Sequence, residues 1–155
     1  MILVAYSHGL RASEVTGLQR DAVKDGHITV ARKKGSLRTV QPLVSDENPL
    51  LDESQFLFAY VESLRWNQRL FPITRQHFWR LMQRYAEAAA LPERTRHPHI
   101  LKHTIAMQII HSAGIENTRQ YLGHKSMSST GAYLKVTDEA ASKAVALALR
   151  GKKAV

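Results

Sequence analysis

The spacing of apolar positions changes several times along the chain, and each change marks a predicted element. Residues 52–66 and the stretch that follows Thr74 carry apolar side chains three and four positions apart, which predicts two helices that each bury one face. The predicted inner faces consist of Phe56, Ala59, Tyr60 and Leu64 in the first helix and of Phe78, Leu81, Met82, Tyr85 and Ala86 in the second. The hydroxyl of Thr74 is predicted to cap the second helix.

Two short segments, 27–31 and 39–43, are rich in β-branched residues and predict two antiparallel strands. Between them lies the basic turn 32–38, which includes Lys33 and Lys34 and has Gly35 at its tip. A run of charges is as often a solvated turn as a binding site. A basic hairpin tip can also enter a DNA groove, where lysine binds phosphate as a point charge.

The remaining elements are predicted from helix start and stop signals. Residues 1–6 are the end of a helix that stops near Gly9, and Arg11 lies at the junction with a short helix that begins near Ser13. Pro98 precedes a helix that ends at Gly114, and a further short helix, 115–122, leads to the Gly123-His124 turn. A last helix is predicted over 138–149. The fold class is therefore mainly α with a small antiparallel β-sheet (α+β), in a single domain spanning 1–155.

The net charge and the composition indicate which class of partner the protein binds. The formal net charge is +9, which favours a polyanion, and nucleic acid is favoured over a membrane surface because no stretch is a basic amphipathic helix with an aromatic face. No apolar run is long enough for a membrane span or a signal peptide, and the chain contains no cysteine. These features predict a cytoplasmic protein with a nucleic-acid partner, and the alternative is a merely basic soluble protein.

Six residues have the chemistry needed to transfer a phosphoryl group from DNA to a protein hydroxyl. They are Arg11, Lys34, His99, Lys102, His124 and Tyr133. Cations must stabilise the charge on the phosphate, and a general acid and base must move two protons. The sequence offers no carboxylate cluster with two-metal spacing, and the His99–His103 pair lacks a third ligand, so neither a metal nor a cofactor is predicted.

With these residues in this order along the sequence, nearly the whole chain resembles the catalytic domain of the tyrosine recombinase (phage integrase) family. The resemblance rests on Gly9-Leu10-Arg11-Ala12-Ser13-Glu14, the basic hairpin at Lys34, His99-Ile-Leu-Lys102-His103-Thr104, and Leu122-Gly123-His124 followed by Tyr133. Within the family, the stretches 6–14 and 32–35 are most similar to small inversion-switch recombinases.

The resemblance implies a role for each residue. Arg11 would hold the scissile phosphate with help from Glu14, and Lys34 would be the general acid, with Lys33 as the alternative. His99 would assist proton transfer or bind the phosphate, and His124 would donate a hydrogen bond to it. Tyr133 would form a 3′-phosphotyrosyl link. The C-terminal helix would mediate self-association, and the protein would work in the nucleoid.

Two departures from the family pattern matter. The family's second arginine is replaced by Lys102, which loses the planar fork that grips two oxygens and implies a rate reduced roughly ten- to a hundredfold. The family's N-terminal DNA-binding domain is expected to be absent, so that the domain is shortened at its N-terminus. An alternative is therefore a weak or inactive recombinase that binds DNA or a full-length recombinase. A topoisomerase-like enzyme that relaxes DNA is a further alternative.

Overall fold

The structure, a computed structural model, describes residues 1–32 and 36–126 together with Val145. Its helices are α1 (Ile2–Ser7), α2 (Ala12–Val15), α3 (Glu53–Glu62), α4 (Arg75–Ala88) and α5 (His99–Leu122), and its strands are β1 (Val23–Lys24), β2 (His27–Val30) and β3 (Thr39–Pro42). Short 3₁₀ turns occupy Arg20–Ala22 and Glu93–Thr95. Lys33, Lys34 and Tyr133 lie outside the described residues, as does the predicted last helix apart from Val145.

The sheet is antiparallel, in the order β1-β2-β3. His27 pairs with Pro42 and Val30 with Thr39, so the two strands predicted from the sequence form the predicted hairpin. The short strand β1 was not predicted; it pairs with the start of β2 across a tight turn at Gly26. Ile28 and Val30 alternate with more exposed neighbours, which is the period-2 pattern of a strand that buries one face.

The core forms where α1, α2, α3 and α4 meet the buried face of the sheet. Its members are apolar side chains that are almost completely removed from water, and they include Val4, Leu10, Val15, Leu18, Ile28, Val30, Leu57, Leu70 and Phe78. Helix α5 packs against α1 and β3. This arrangement brings the C-terminal end of α5 beside the Gly9 turn and the base of the hairpin.

Helix α4 begins as predicted. The Thr74 hydroxyl oxygen accepts a hydrogen bond from the backbone N–H of His77 at 3.1 Å, which satisfies one of the donors left open at a helix start. Phe78, Met82 and Ala86 form its buried face. The prediction was wrong for Tyr85, which is 54% exposed.

The predicted inner face of α3 was wrong in part. Tyr60 and Leu64 are partly buried and pack against the core, as predicted. Phe56, however, is 55% exposed, and the buried positions are Glu53, Leu57 and Val61. A charged residue faces inward because His8 pairs with Glu53 inside the protein. Once Glu53 points inward, positions four and eight residues later share its face, and the aromatic ring of Phe56 is left outside.

Helix α5 contains the predicted break. Gly114 has φ 81° and ψ 173° inside it, so two helical segments meet at this residue. The second segment ends at Gly123, which has φ 68° in the left-handed region that favours glycine at a helix C-terminus. The break and the stop that were predicted from Gly114 and Gly123 are confirmed.

Gly123 is also a point of close approach between α5 and the hairpin. Its carbonyl accepts a hydrogen bond from Leu37 N–H at 2.8 Å. A Cβ atom at residue 123 would lie 2.5 Å from the Leu37 carbonyl oxygen and 3.1 Å from Cγ of Arg32. The hairpin can dock here only against a residue without a side chain.

We expect Gly123→Ala to lower the free energy of unfolding by about 2–4 kcal/mol, from left-handed strain plus overpacking. Gly26→Ala is the matched control, because Gly26 also has a positive φ, +72°, but a Cβ atom added there would have no neighbour within 4 Å. It should cost only the strain, about 1–2 kcal/mol. Urea denaturation measures both, and equal losses would contradict the close contact.

Candidate active site

Arg11 begins α2 and is held by a carboxylate one turn later. Its backbone N–H and its Nη1 each donate a 2.8 Å hydrogen bond to the two oxygens of Glu14. The Glu14 side chain is fully buried, while 26% of the Arg11 side chain is exposed. The pair therefore fixes the direction of the guanidinium, as predicted for Glu14.

Arg11 faces an open cavity of about 830 Å³, which we call the basic cleft. The cleft lies between the start of α2, the first half of α4 and the start of α5. It is lined by Arg11, Ala12, Ser13, Arg75, Gln76, Trp79, Arg80, His97, Pro98 and His99. Guanidinium groups, imidazoles and an indole ring are the side chains that bind phosphate and stack on bases.

The α4 side of the basic cleft was missed by sequence reasoning. Arg75, Trp79 and Arg80 line the cleft from exposed positions of α4, whereas Phe78 and Met82 are buried. A usable signal was present, because the polar face of this helix carries arginine and no carboxylate in its first two turns.

His99 is exposed at the first position of α5 and lines the basic cleft. Partial burial, followed by the charges of His97, Lys102 and Arg11, lowers the pKa of His99. The imidazole is therefore neutral near pH 7 and able to accept a proton.

Lys102 lies one turn further along α5 and is 1% exposed. Its Nζ donates a hydrogen bond to the carbonyl oxygen of Gly9 at 3.0 Å. Burial and the charge of Arg32 lower the pKa of Lys102 to about 7, although Glu14 opposes the shift. The Lys102 amine is thus only partly charged at neutral pH.

The lowered pKa of Lys102 makes the stability of the protein depend on pH. Because its folded pKa of about 7 is below the ordinary 10.5, the unfolded chain binds more protons between these values. Stability therefore rises with pH in this window and is lowest below it. Between pH 7 and pH 9 we expect the unfolding free energy to rise by on the order of 2 kcal/mol relative to Lys102→Met.

Urea denaturation at several pH values measures this difference. Lys24→Met is the control, since the Lys24 side chain is exposed and should leave the pH slope of the unmodified protein unchanged. Parallel pH profiles for Lys102→Met and the unmodified protein would contradict the burial of a titrating amine.

His124 follows the left-handed Gly123 and is 6% exposed. Its backbone N–H donates to the Arg119 carbonyl at 2.9 Å, and its own carbonyl accepts from Nη1 of Arg119 at 3.0 Å. Burial, followed by the charges of Lys102 and Arg11, lowers the pKa of His124 to about 4. The ring is neutral and can donate one hydrogen bond to a phosphate oxygen.

The structure brings together four of the six predicted residues. The charges of Arg11 and Lys102 act on both His99 and His124, so these four groups share one electrostatic environment. Lys34 and Tyr133 lie outside the described residues, and their roles remain predictions.

Among residues 1–32 and 36–126, no cluster of three or more His, Cys, Asp or Glu side chains is placed to hold a metal ion. Within the same part of the chain, no helix has both the length and the apolar character needed to cross a bilayer.

Comparison with known proteins gives one consistent result. The sequence profile described as "Phage integrase family" matches residues 1–140. The chain is 31% identical over 156 residues to tyrosine recombinase XerD of Bradyrhizobium diazoefficiens, covering 90% of the chain and 48% of that protein. It is 34% identical over 150 residues to tyrosine recombinase XerA of Thermococcus kodakarensis, covering 90% and 51%. The chain thus spans about half the length of these curated relatives.

Solved structures agree on the fold. The XerA recombinase structure superimposes with a TM-score of 0.68 at 21% identity, covering 94% of this chain and 55% of that one. The XerH site-specific recombinase bound to its difH substrate gives a TM-score of 0.71 at 16% identity, covering 93% and 44%. The predicted fold class, with its small antiparallel sheet, is confirmed.

Proposed function

Because the chain belongs to the phage integrase family, we propose that it is the catalytic part of a site-specific DNA recombinase. It cleaves and rejoins double-stranded DNA through a 3′-phosphotyrosyl intermediate. The observation that carries the proposal is the convergence of four groups. Arg11 and His99 line the basic cleft, and the charges of Arg11 and Lys102 act on both His99 and His124.

In the proposed cleavage step, the phenolic oxygen of Tyr133 attacks the scissile phosphorus and the bond from phosphorus to the 5′ oxygen breaks. The phenolic proton passes to neutral His99, and Lys34 donates a proton to the departing 5′ oxygen. Arg11 and His124 stabilise the charge on the non-bridging oxygens. Rejoining reverses these transfers, so the phosphodiester energy is conserved and no external energy source is needed.

DNA as the substrate is supported by charge. The net charge of +9 favours association with a polyanion through counterion release, and Arg75 and Arg80 extend the basic cleft beyond Arg11. Among the structural neighbours, the XerH site-specific recombinase was solved bound to its difH substrate and the lambda integrase was solved bound to DNA. We therefore place the scissile phosphate at Arg11 and the neighbouring backbone along the first half of α4. The protein would accordingly act on DNA in the nucleoid, within the cytoplasm.

We further propose that the segment 138–149 mediates self-association. A groove of about 670 Å³ lies between α1, β3 and α5, and its lining includes the apolar side chains of Tyr6, Val40, Val44, Ile105 and Ile109. A helix of twelve residues is about 18 Å long and carries small apolar side chains at its inner positions. Such a helix from a second copy fits an open apolar groove.

We expect a chain that ends at Val136 to sediment as a smaller species than the full chain. Removing only 151–155 is the control and should leave the oligomeric state unchanged. If the chain ending at Val136 keeps the oligomeric state of the full chain, the C-terminal segment does not mediate self-association.

Covalent capture tests the proposed function. The protein is incubated with fragments of the DNA that flanks its gene, denatured, and examined on a gel for DNA-linked protein. A DNA-linked species supports the recombinase.

Salt-sensitive DNA binding without any adduct from the protein or from Lys102→Arg would instead favour the inactive DNA-binding remnant. The observation that favours this alternative is the buried hydrogen bond of Lys102 to Gly9. Relaxation of plasmids of unrelated sequence would favour the topoisomerase-like activity.

A further inference from the structure

Arg32 differs from the other basic residues of the hairpin, because its side chain points into the protein. The sequence counted it among the cations of an exposed basic turn, and this expectation was wrong. Its side chain is fully removed from solvent, although the chain continues directly into Lys33 and Lys34. An arginine is rarely buried so completely unless its charge is paired and its donors are satisfied.

The Arg32 guanidinium has a partner for every N–H group. Nε donates to the Thr39 hydroxyl at 3.1 Å. Nη1 donates to the Gly9 carbonyl at 2.9 Å and to the Glu14 carboxylate at 3.5 Å. Nη2 donates to the carbonyls of His8 and Tyr121 at 2.9 and 3.1 Å. A guanidinium has five N–H donors. All five are occupied within the protein, so Arg32 has no donor left for a DNA phosphate.

Two of these carbonyls lie at helix C-termini. The His8 carbonyl closes α1 and the Tyr121 carbonyl belongs to the last turn of α5. Carbonyls in these positions have no partner within their own helix and carry the negative end of the helix dipole. One planar cation therefore stabilises the ends of both helices and Glu14 together. A lysine ammonium, with a single charged point, cannot reach all of these acceptors.

The acceptors belong to the segments that carry the proposed active-site residues. The Gly9 carbonyl is two residues before Arg11, and the Tyr121 carbonyl is three residues before His124. Glu14 is the residue that holds Arg11. On the other side of the hairpin tip, Leu37 N–H donates to the Gly123 carbonyl at 2.8 Å. Arg32 and Leu37, which the structure describes on either side of 33–35, are thus both bonded to the segments that carry these residues.

We propose that Arg32 is a positioning residue that fixes the base of the hairpin, and with it the general-acid lysine, relative to Arg11 and His124. This inference rests on the proposed function. It predicts a particular defect. Without Arg32, the chain still binds DNA and holds the phosphate, but proton transfer to the departing 5′ oxygen becomes slow.

The test compares two leaving groups. The cleavage position is mapped on the flanking DNA by covalent capture, and a duplex oligonucleotide of that sequence is made with either the ordinary 5′ oxygen or sulfur at the bridging position. A 5′ thiolate departs without a proton, because a thiol is far more acidic than an alcohol. A defect in proton delivery is therefore rescued by sulfur, whereas a general loss of folded protein is not.

We expect Arg32→Met to slow adduct formation on ordinary DNA by about a hundredfold or more, the usual contribution of a general acid, and to recover most of the rate on the sulfur substrate. Lys34→Ala is the reference and should show the same pattern. Arg20→Met is the matched control, since Arg20 donates to the Val61 carbonyl at 3.2 Å and does not line the basic cleft. Its two rates should fall together or not at all.

Should Arg32→Met fail to fold, Arg32→Lys keeps the charge with fewer donors and should show a smaller loss that sulfur also rescues. Equal losses on both substrates, or no loss on ordinary DNA, would overturn the role of Arg32 and leave the recombinase proposal intact. Failure of the unmodified protein to form an adduct with either substrate would overturn the proposed function itself, and the role of Arg32 with it.

Discussion

Tyr133→Phe is expected to abolish the DNA-linked species while leaving DNA binding unchanged. Phenylalanine keeps the aromatic ring but lacks the oxygen that would attack the phosphate. The free tyrosine hydroxyl has a pKa of about 10 and is a poor nucleophile, so the proposed chemistry depends on the neighbouring cations and on His99. The measurement is the amount of DNA-linked protein after denaturation, with binding followed separately by gel shift.

Tyr121 provides the matched control. Its hydroxyl donates a 2.6 Å hydrogen bond to the Ser7 carbonyl, and burial, followed by the charge of Glu53, raises the pKa of Tyr121 to about 12. This hydroxyl is held in its protonated form and is already engaged. Tyr121→Phe should therefore leave the adduct close to that of the unmodified protein. An adduct that survives Tyr133→Phe would rule out Tyr133 as the nucleophile.

The second large effect concerns stability. Glu53→Ala is expected to lower the free energy of unfolding by about 3–5 kcal/mol, the usual cost of breaking a buried ion pair. The His8 and Glu53 side chains are both fully buried and paired, and Glu53 Oε1 also accepts from Val44 N–H at 3.0 Å. Removing the carboxylate leaves two buried donors without an acceptor.

Both ring nitrogens of His8 have a partner inside the protein. Gln41 donates from Nε2 to the Tyr121 carbonyl at 2.7 Å, which turns its Oε1 toward Nδ1 of His8 at 2.8 Å. The other ring nitrogen pairs with a Glu53 oxygen. Loss of the Glu53 carboxylate therefore leaves a buried imidazole nitrogen without its partner.

Glu62→Ala is the control for this prediction. Glu62 lies on the same helix, is exposed, and should change stability by no more than about 0.5 kcal/mol. Urea denaturation midpoints give both values. If the two variants lose equal stability, the buried pair contributes no more than a surface charge.

Much of the fold could be predicted because its signals are local. The Thr74 cap, the hairpin strands, the break at Gly114 and the stop at Gly123 each depend on residue types within one or two turns. The inner face of α3 could not be predicted in this way. The inner face is set by Glu53, whose partner His8 is 45 residues away in the sequence. No local pattern predicts such a pair.

The same distinction between local signals and long-range contacts applies to the candidate site. Residue order and motif spacing predicted Arg11, His99, Lys102 and His124. In the structure Arg11 and His99 line the basic cleft, and the charges of Arg11 and Lys102 act on both histidines. The inward direction of Arg32 depends on acceptors from three distant segments, so the sequence alone presents it as one more cation of an exposed turn. The burial of Lys102 against Gly9 is hidden for the same reason.

The most direct measurement is mass spectrometry of the DNA-linked peptide. After nuclease and trypsin digestion of the captured adduct, we predict a nucleotide-modified peptide spanning 126–135, with the phosphate on its one tyrosine, Tyr133. The modification should be a 3′-phosphate ester, with a free 5′ hydroxyl on the released DNA end. A phosphate on another residue, such as Tyr121 or a serine of the same peptide, or attachment through a 5′-phosphate, would contradict the mechanism.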